Sequence, residues 1–171
     1  MALINKLPED PWAVEFHEKL KIMSKLNIGD PAPDITLNTP EGNPINLSSL
    51  KAKGVLLEFW ASWCNPCRME NPNLVKLYNK YNEQGFEIFS ISLDGVPQQD
   101  NAKQDWLNAI KADGLIWKNH ASELLGWNSS TVPLYEVRSI PHTILIDREG
   151  NILGKNLIGE DLEHKLNSLF N

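Results

Sequence analysis

The chain has 171 residues, 42% of them hydrophobic, which is one domain's worth of sequence and enough to bury a core without covalent staples. Its formal net charge is −6, with 22 acidic against 16 basic residues, so neither nucleic acid nor an anionic membrane surface is an expected partner. Two cysteines are too few for a disulfide scaffold, and no apolar run reaches the length of a membrane span.

Residues 1–28 read as a helical lead-in and residues 29–171 as the main domain. Asp10 can cap a helix that has Pro11 at its first position. Trp12, Phe16, Leu20, Met23 and Leu26 then recur at helical spacing until Gly29, Pro31 and Pro33 end it. Such a helix either packs on the domain surface or links to an upstream part of a longer protein. The stretch "MALINKLPEDPW" lacks the basic start and apolar run of a secretory signal, and on that ground alone a cytoplasmic location is expected.

From Gly29 onward strands and helices alternate. "DITLN" and "PINLS" flank "TPEGN" as a hairpin, and "GVLLEFWA" reads as a strand buried on both faces. A helix is expected from Asn65 to Gln84, with Leu74, Leu77, Tyr78 and Tyr81 on one face and Gly85 at its end. "FEIFSISLD" is the next strand, and residues 100–113 form a helical pattern on Ala102, Trp106, Ala109 and Ile110. "HTILID" and "NILGK" surround "REG" as a second hairpin, and "EDLEHKLNSLF" closes the chain as a helix. This order argues for an α/β sheet with helices on its faces.

Both cysteines lie in "FWASWCNPCRME", residues 59–70. A structural staple, half of a metal site and a redox pair all use such a spacing. A bridge across two residues closes a very short loop, which restricts the unfolded chain least. A closed zinc site needs four ligands, and none of His17, His120, His142 and His164 stands at zinc-finger spacing from the cysteines; His142 alone stays in view as a third ligand. Cys64 sits at an expected exposed position where a strand hands over to a helix, with Pro66 in the first turn. There the helix dipole and free N–H groups favour a thiolate. Cys67 follows on the same side, pointing inward. The redox reading fits best.

"FWASWCNPC" resembles the active-site segment of the thioredoxin superfamily, and residues 29–171 follow that pattern. Pro72 resembles the proline that kinks the active-site helix, and "SIPHT" resembles the cis-proline loop. The opening "GDPAPDITLNTPEGNPINLSSLKAKGVLLEFWASWC" is similar to the TlpA/ResA-like branch, envelope thiol–disulfide oxidoreductases with an extra N-terminal hairpin and a helix inserted before the cis-proline loop. "LGWNSSTVPLYEVRSIP" resembles members that follow an unrelated domain in larger envelope proteins. Peroxiredoxins share the hairpin opening, but they place Thr or Ser three residues before the reactive cysteine and Pro seven before. Those positions are Ala61 and Leu57 for Cys64, and Cys64 and Trp60 for Cys67, so the peroxidase pattern fails.

The resemblance implies an α/β thioredoxin-like fold with an extra N-terminal β-hairpin and a helical N-terminal extension. It implies a cofactor-free reductase of disulfide-containing protein substrates in the periplasm or cell envelope, re-reduced by a membrane thiol electron donor and serving cytochrome c maturation. Cys64 attacks and Cys67 resolves. The alternatives are a non-catalytic metal-binding module using Cys64, Cys67 and His142, and an interaction module whose C-x-x-C is structural. Nothing in the sequence specifies an oligomeric state.

Other residues take supporting parts. Trp60 is expected in the core and Trp63 on an apolar rim where a partner docks. Asn65 and Pro66 separate the cysteines and tune their potential. A cis Pro141 turns the backbone of Ile140 toward an extended substrate, which it receives by strand addition. His142 is either a surface histidine or an imidazolium that lowers the cysteine pKa. Glu58, the one charge in its apolar strand, should have a raised pKa and matches a buried acid that deprotonates the resolving cysteine; the plainer reading is a strand-edge side chain reaching solvent. Glu70 matches an acid near the disulfide in the ResA-like branch, or is a solvated carboxylate at a helix N-terminus.

Overall fold

A computed structural model describes residues 11–24 and 26–171. The first helix, α1, runs Pro11–Ser24. The Asp10 cap falls outside the described residues, as do the side chains of Leu20 and Met23. Trp12 and Phe16 stack on each other with ring centroids 6.0 Å apart, and both are exposed. Leu26 is buried.

The expected hairpin forms a two-stranded sheet of β1 (Thr36–Asn38) and β2 (Pro44–Asn46), paired antiparallel with Leu37 opposite Ile45. Gly42 takes a left-handed φ of 85° in its turn, which a side chain would strain. The hairpin is tied down by buried Ile35, Leu37 and Leu47 and by Tyr135, whose hydroxyl donates to the carbonyl of Pro33.

Among the described residues the main sheet has five strands, in the order β5 (Asn119–Ala121), β4 (Phe86–Ser92), β3 (Gly54–Trp60), β6 (His142–Asp147) and β7 (Ile152–Lys155). Its centre is β3 (Gly54–Trp60), all seven residues of which are buried. It pairs parallel with β4 (Phe86–Ser92) and antiparallel with β6 (His142–Asp147), which turns back into β7 (Ile152–Lys155). A strand with neighbours on both edges and helices over its faces has no solvated side, hence the continuous apolar run. The short edge strand β5 (Asn119–Ala121) has no sequence counterpart, because "NHA" is brief and polar.

Helix α2 (Asn65–Tyr81) follows β3 and buries Leu74, Leu77 and Tyr81, with Tyr78 half-buried. It ends three residues before the expected Gln84, where the chain tightens into a 3₁₀ turn closed by Gly85 at φ 99°. Helix α5 (Gly159–Phe170) packs on α2, Tyr81 stacking on Phe170 at 5.1 Å. Helix α3 (Ala102–Ala112) is the insertion between β4 and β5, and buries Trp106 and Ala109. A four-residue helix, α4 (Thr131–Leu134), leads toward the loop before β6.

Candidate active site

Cys64 is the N-cap of α2, and its sulfur accepts a hydrogen bond from the Cys67 backbone N–H at 3.2 Å. The two cysteines are joined in a disulfide, with their Cα atoms 5.3 Å apart. A helix start with Pro66 in its first turn leaves N–H groups aimed at the cap atom, so this position suits a sulfur anion once the bridge opens. The expected exposure of Cys64 is not met: it is 5% exposed and Cys67 is 0% exposed. The loop before β6 lies against it, with the Ile140 carbonyl oxygen 3.7 Å from Cys64 Sγ. The Ile140–Pro141 peptide is cis. Asn65 and Pro66 are exposed, while Ile140 and Pro141 are half-buried.

Trp60 is fully buried, as its strand position requires. Trp63 is 39% exposed and faces a second tryptophan, Trp127, whose ring centroid is 6.4 Å away at 52° and which is 41% exposed. Trp127 sits on the turn Gly126–Asn128, and sequence inspection passes it over because nothing local links it to the cysteines. That turn is fixed by a close backbone crossing. Gly126 N–H donates to the Asp94 carbonyl at 3.1 Å, and a Cβ on Gly95 (φ 106°) would lie 2.1 Å from the Leu124 carbonyl oxygen.

Glu58 lies at the middle of β3, opposite Ser90 on one side and Thr143 on the other. It is 1% exposed, which removes the strand-edge reading. Ser90 Oγ donates to Glu58 Oε2 at 2.6 Å. Burial pushes the carboxyl up to about 7 against that single hydrogen bond, and the negative charge of Glu70 adds to the rise.

Glu70 is half-buried, and its place differs from a solvated carboxylate at the start of its own helix. Its Oε1 accepts from Gly159 N–H at 2.8 Å and from Asn73 Nδ2 at 2.8 Å. It thus caps α5 from another helix, since α5 has Ile158 at its N-cap and no side-chain acceptor there.

His142 pairs with Phe59 across β3 and β6, the rings 5.7 Å apart. Burial lowers its pKa, and the charge of Lys155 acts the same way, against hydrogen bonds to Tyr135 and Asn156. The imidazolium needed to lower a cysteine pKa is therefore disfavoured. Among the described residues no group of three or more His, Cys, Asp or Glu is placed to hold a metal ion, so Cys64, Cys67 and His142 are not brought together as ligands.

Residues 28–154 match the model of the AhpC/TSA family. The thiol-disulfide oxidoreductase ResA of Bacillus anthracis is 33% identical over 142 residues, which cover 83% of this chain and 76% of that protein. ResA of Oceanobacillus iheyensis is 46% identical over 132 residues, 73% of this chain and 62% of that one. Among solved structures, the thioredoxin domain of a thiol-disulfide oxidoreductase from Bacteroides vulgatus matches with a TM-score of 0.74 at 35% identity, covering 85% of this chain and 99% of its own. A thiol:disulfide interchange protein from Bacteroides sp. matches with a TM-score of 0.72 at 34% identity, covering 86% and 92%.

Proposed function

We propose that this chain, which belongs to the AhpC/TSA family and is a thiol–disulfide oxidoreductase of thioredoxin-like fold, works as a reductase of protein disulfides through Cys64 and Cys67. The observation that carries this reading is the bridge itself: it spans a helix start, faces the Ile140 carbonyl, and follows directly on the strand that buries Glu58.

In the reduced protein the Cys64 thiolate attacks one sulfur of the partner's disulfide. A mixed disulfide forms and the partner's other sulfur leaves as a thiolate. Cys67 then attacks Cys64 Sγ, the Cys64–Cys67 bridge forms, and the second partner thiolate leaves; two electrons pass from the protein to the partner. Cys67 is fully buried, where a thiolate is poorly solvated, so its proton must be taken up as the bridge closes. Glu58, with a carboxyl near neutrality, is the base for that proton, since a base works best with a pKa close to the working pH. Trp63 and Trp127 form the apolar rim where the partner lies, and Asn65, Pro66, Ile140 and Pro141 complete the contact surface.

The working unit is residues 29–171, with residues 1–28 as lead-in; the family match starting at residue 28 supports this division. The resemblance to the TlpA/ResA-like branch supports a place in the cell envelope, a membrane thiol donor and a part in cytochrome c maturation. Equilibration with glutathione buffers tests the reading. A reductase of this fold is expected near about −270 mV, and a bridge below about −300 mV without turnover of any protein disulfide would count against it.

A further inference from the structure

Two residues that flank the cysteines are hydrogen-bonded to each other. Ser62 stands two positions before Cys64, Arg68 one after Cys67, and Arg68 Nη1 donates to the Ser62 carbonyl at 3.0 Å. That bond closes residues 62–68 into a ring containing both sulfurs.

The ring is gripped from outside at both of these points. Ser62 N–H donates to Asp94 Oδ2 at 3.1 Å, and the Ser62 hydroxyl donates to Asp94 Oδ1. Asp94 is fully buried and is held in turn by the Ser92 hydroxyl and by Gln99 Nε2 at 2.7 Å. Arg68 makes a two-pronged pair with Asp113, through Nε to Oδ2 and through Nη2 to Oδ1 at 2.8 Å. Asn71 Nδ2 donates to the same carboxylate at 2.7 Å. Burial pushes the Asp113 carboxyl up, but the hydrogen bonds from Arg68 and Asn71 outweigh it and hold it below its ordinary value.

The two carboxylates stand at the two ends of one segment. Asp94 follows β4 by two residues, and Asp113 is the C-cap of α3. We infer that Asp94 and Asp113, acting through Ser62 and Arg68, are positioning residues that hold Cys67 against Cys64 when the bridge is open. This inference rests on the two-cysteine cycle proposed above. The inserted segment is then a brace for the redox loop. A planar guanidinium held by a carboxylate on one side and a carbonyl on the other has little freedom, and Lys cannot reproduce that fork. Since Asp113 balances the charge of Arg68, the brace fixes geometry without leaving an unpaired cation beside the thiolate. A loop so restrained keeps the effective concentration of the resolving thiol high, and a freed loop dilutes it.

Arg68→Lys and Arg68→Met test this in the whole chain, with three readouts. These are the dithiol–disulfide equilibrium constant against glutathione, the lifetime of a mixed disulfide with a disulfide-bonded protein, and the pH profile of the first attack. Both variants are expected to lower the equilibrium constant about tenfold, which raises the potential by about 30 mV, and to lengthen the mixed-disulfide lifetime by a similar factor. Arg68→Lys should keep the wild-type pH profile. Wild-type equilibrium and lifetime in both variants, or in Arg68→Lys alone, overturn the brace: the first would leave a merely structural pair, the second a charge effect. Failure of the reductase reading appears elsewhere, as a wild-type protein that forms no mixed disulfide. The equilibrium constants still judge the brace in that case, because any bridge can be equilibrated.

Discussion

Ser90 donates to Glu58 across the parallel β3–β4 ladder at 2.6 Å, and the same hydroxyl accepts from Trp117 Nε1 at 2.9 Å. The serine's one proton is thereby committed to the carboxyl. A single neutral hydrogen bond does not offset the loss of hydration at a site 1% exposed, so the acid form persists until about pH 7. Burial therefore keeps the proton on Glu58 over much of the acid range, up to about 7.

The first prediction concerns stability. The folded pKa of Glu58 lies above its ordinary value of 4.5, so its favourable contribution is full below pH 4.5 and is lost as pH rises through about 7. Ionising this group in the fold costs on the order of 3 kcal/mol relative to the unfolded chain. Glu58→Gln removes that cost. Denaturant unfolding of the oxidised protein should show the variant gaining on wild type by up to about 3 kcal/mol between pH 4.5 and pH 8. A constant difference across that range would mean burial does not govern this carboxyl. In the reduced protein the same variant should slow resolution by Cys67 and leave the attack by Cys64 unchanged, as read by stopped-flow exchange.

The second prediction separates the sulfurs. Cys64 faces the Ile140 carbonyl and retains 5% exposure, whereas Cys67 has none. Cys67→Ser should therefore accumulate mixed disulfides with added protein disulfides, visible as adduct masses. Cys64→Ser should accumulate none. Equal trapping by both would show that the order of attack is not set by this geometry.

What could be read in advance is what periodicity and short spacing carry. The seven buried residues of β3 appear as one apolar run, with Glu58 standing out in it. The C-x-x-C helix start and the loop of Pro141 are contiguous motifs. The features that escaped are polar contacts between distant positions. Ser62 meets Asp94 across 32 residues, Arg68 meets Asp113 across 45, and Glu70 meets Gly159 across 89. Each partner is an ordinary surface-type residue, and no local pattern marks which pairs the fold brings together. The near-complete burial of Cys64 escaped for the same reason, since it comes from the loop before β6 lying 3.7 Å from the sulfur.

The third prediction follows from Glu70. As the cap of α5 it should be worth about 1 kcal/mol, the usual loss when a capping side chain is cut to Ala. Glu70→Ala should lose that much in chemical unfolding. Glu70→Gln keeps an acceptor for Gly159 N–H and should lose less. The Gln variant also isolates the charge: if the carboxylate discourages a second anion near Cys67, its removal lowers the apparent pKa values of the reduced pair, measured by pH-dependent alkylation. Unchanged pKa values with an Ala-specific loss of stability would assign Glu70 to the cap alone.

The last prediction concerns Trp127. Its ring lies 6.4 Å from that of Trp63, the residue next to Cys64, so a polypeptide that docks on Trp63 can also meet Trp127. Both rings are about two-fifths exposed, Leu125 beside Trp127 is also exposed, and the charge of Arg68, which bonds the redox loop at Ser62, is paired with Asp113. An apolar side chain on the partner is thus the one that gains by docking there, and tryptophans at such places commonly carry much of the binding energy. Trp127→Ala should slow exchange with a protein disulfide about tenfold, the size of a modest interface hot spot. Exchange with bis(2-hydroxyethyl) disulfide, too small to reach the pair, should change less than about twofold, because the sulfur chemistry is untouched. Gly95→Ala gives an independent check. Its Cβ would meet the Leu124 carbonyl at 2.1 Å, so the turn bearing Trp127 must shift, and the same selective loss should follow with Trp127 still present. Equal slowing with both disulfides in Trp127→Ala would place the effect at the cysteines, and no slowing with either would remove Trp127 from the docking surface.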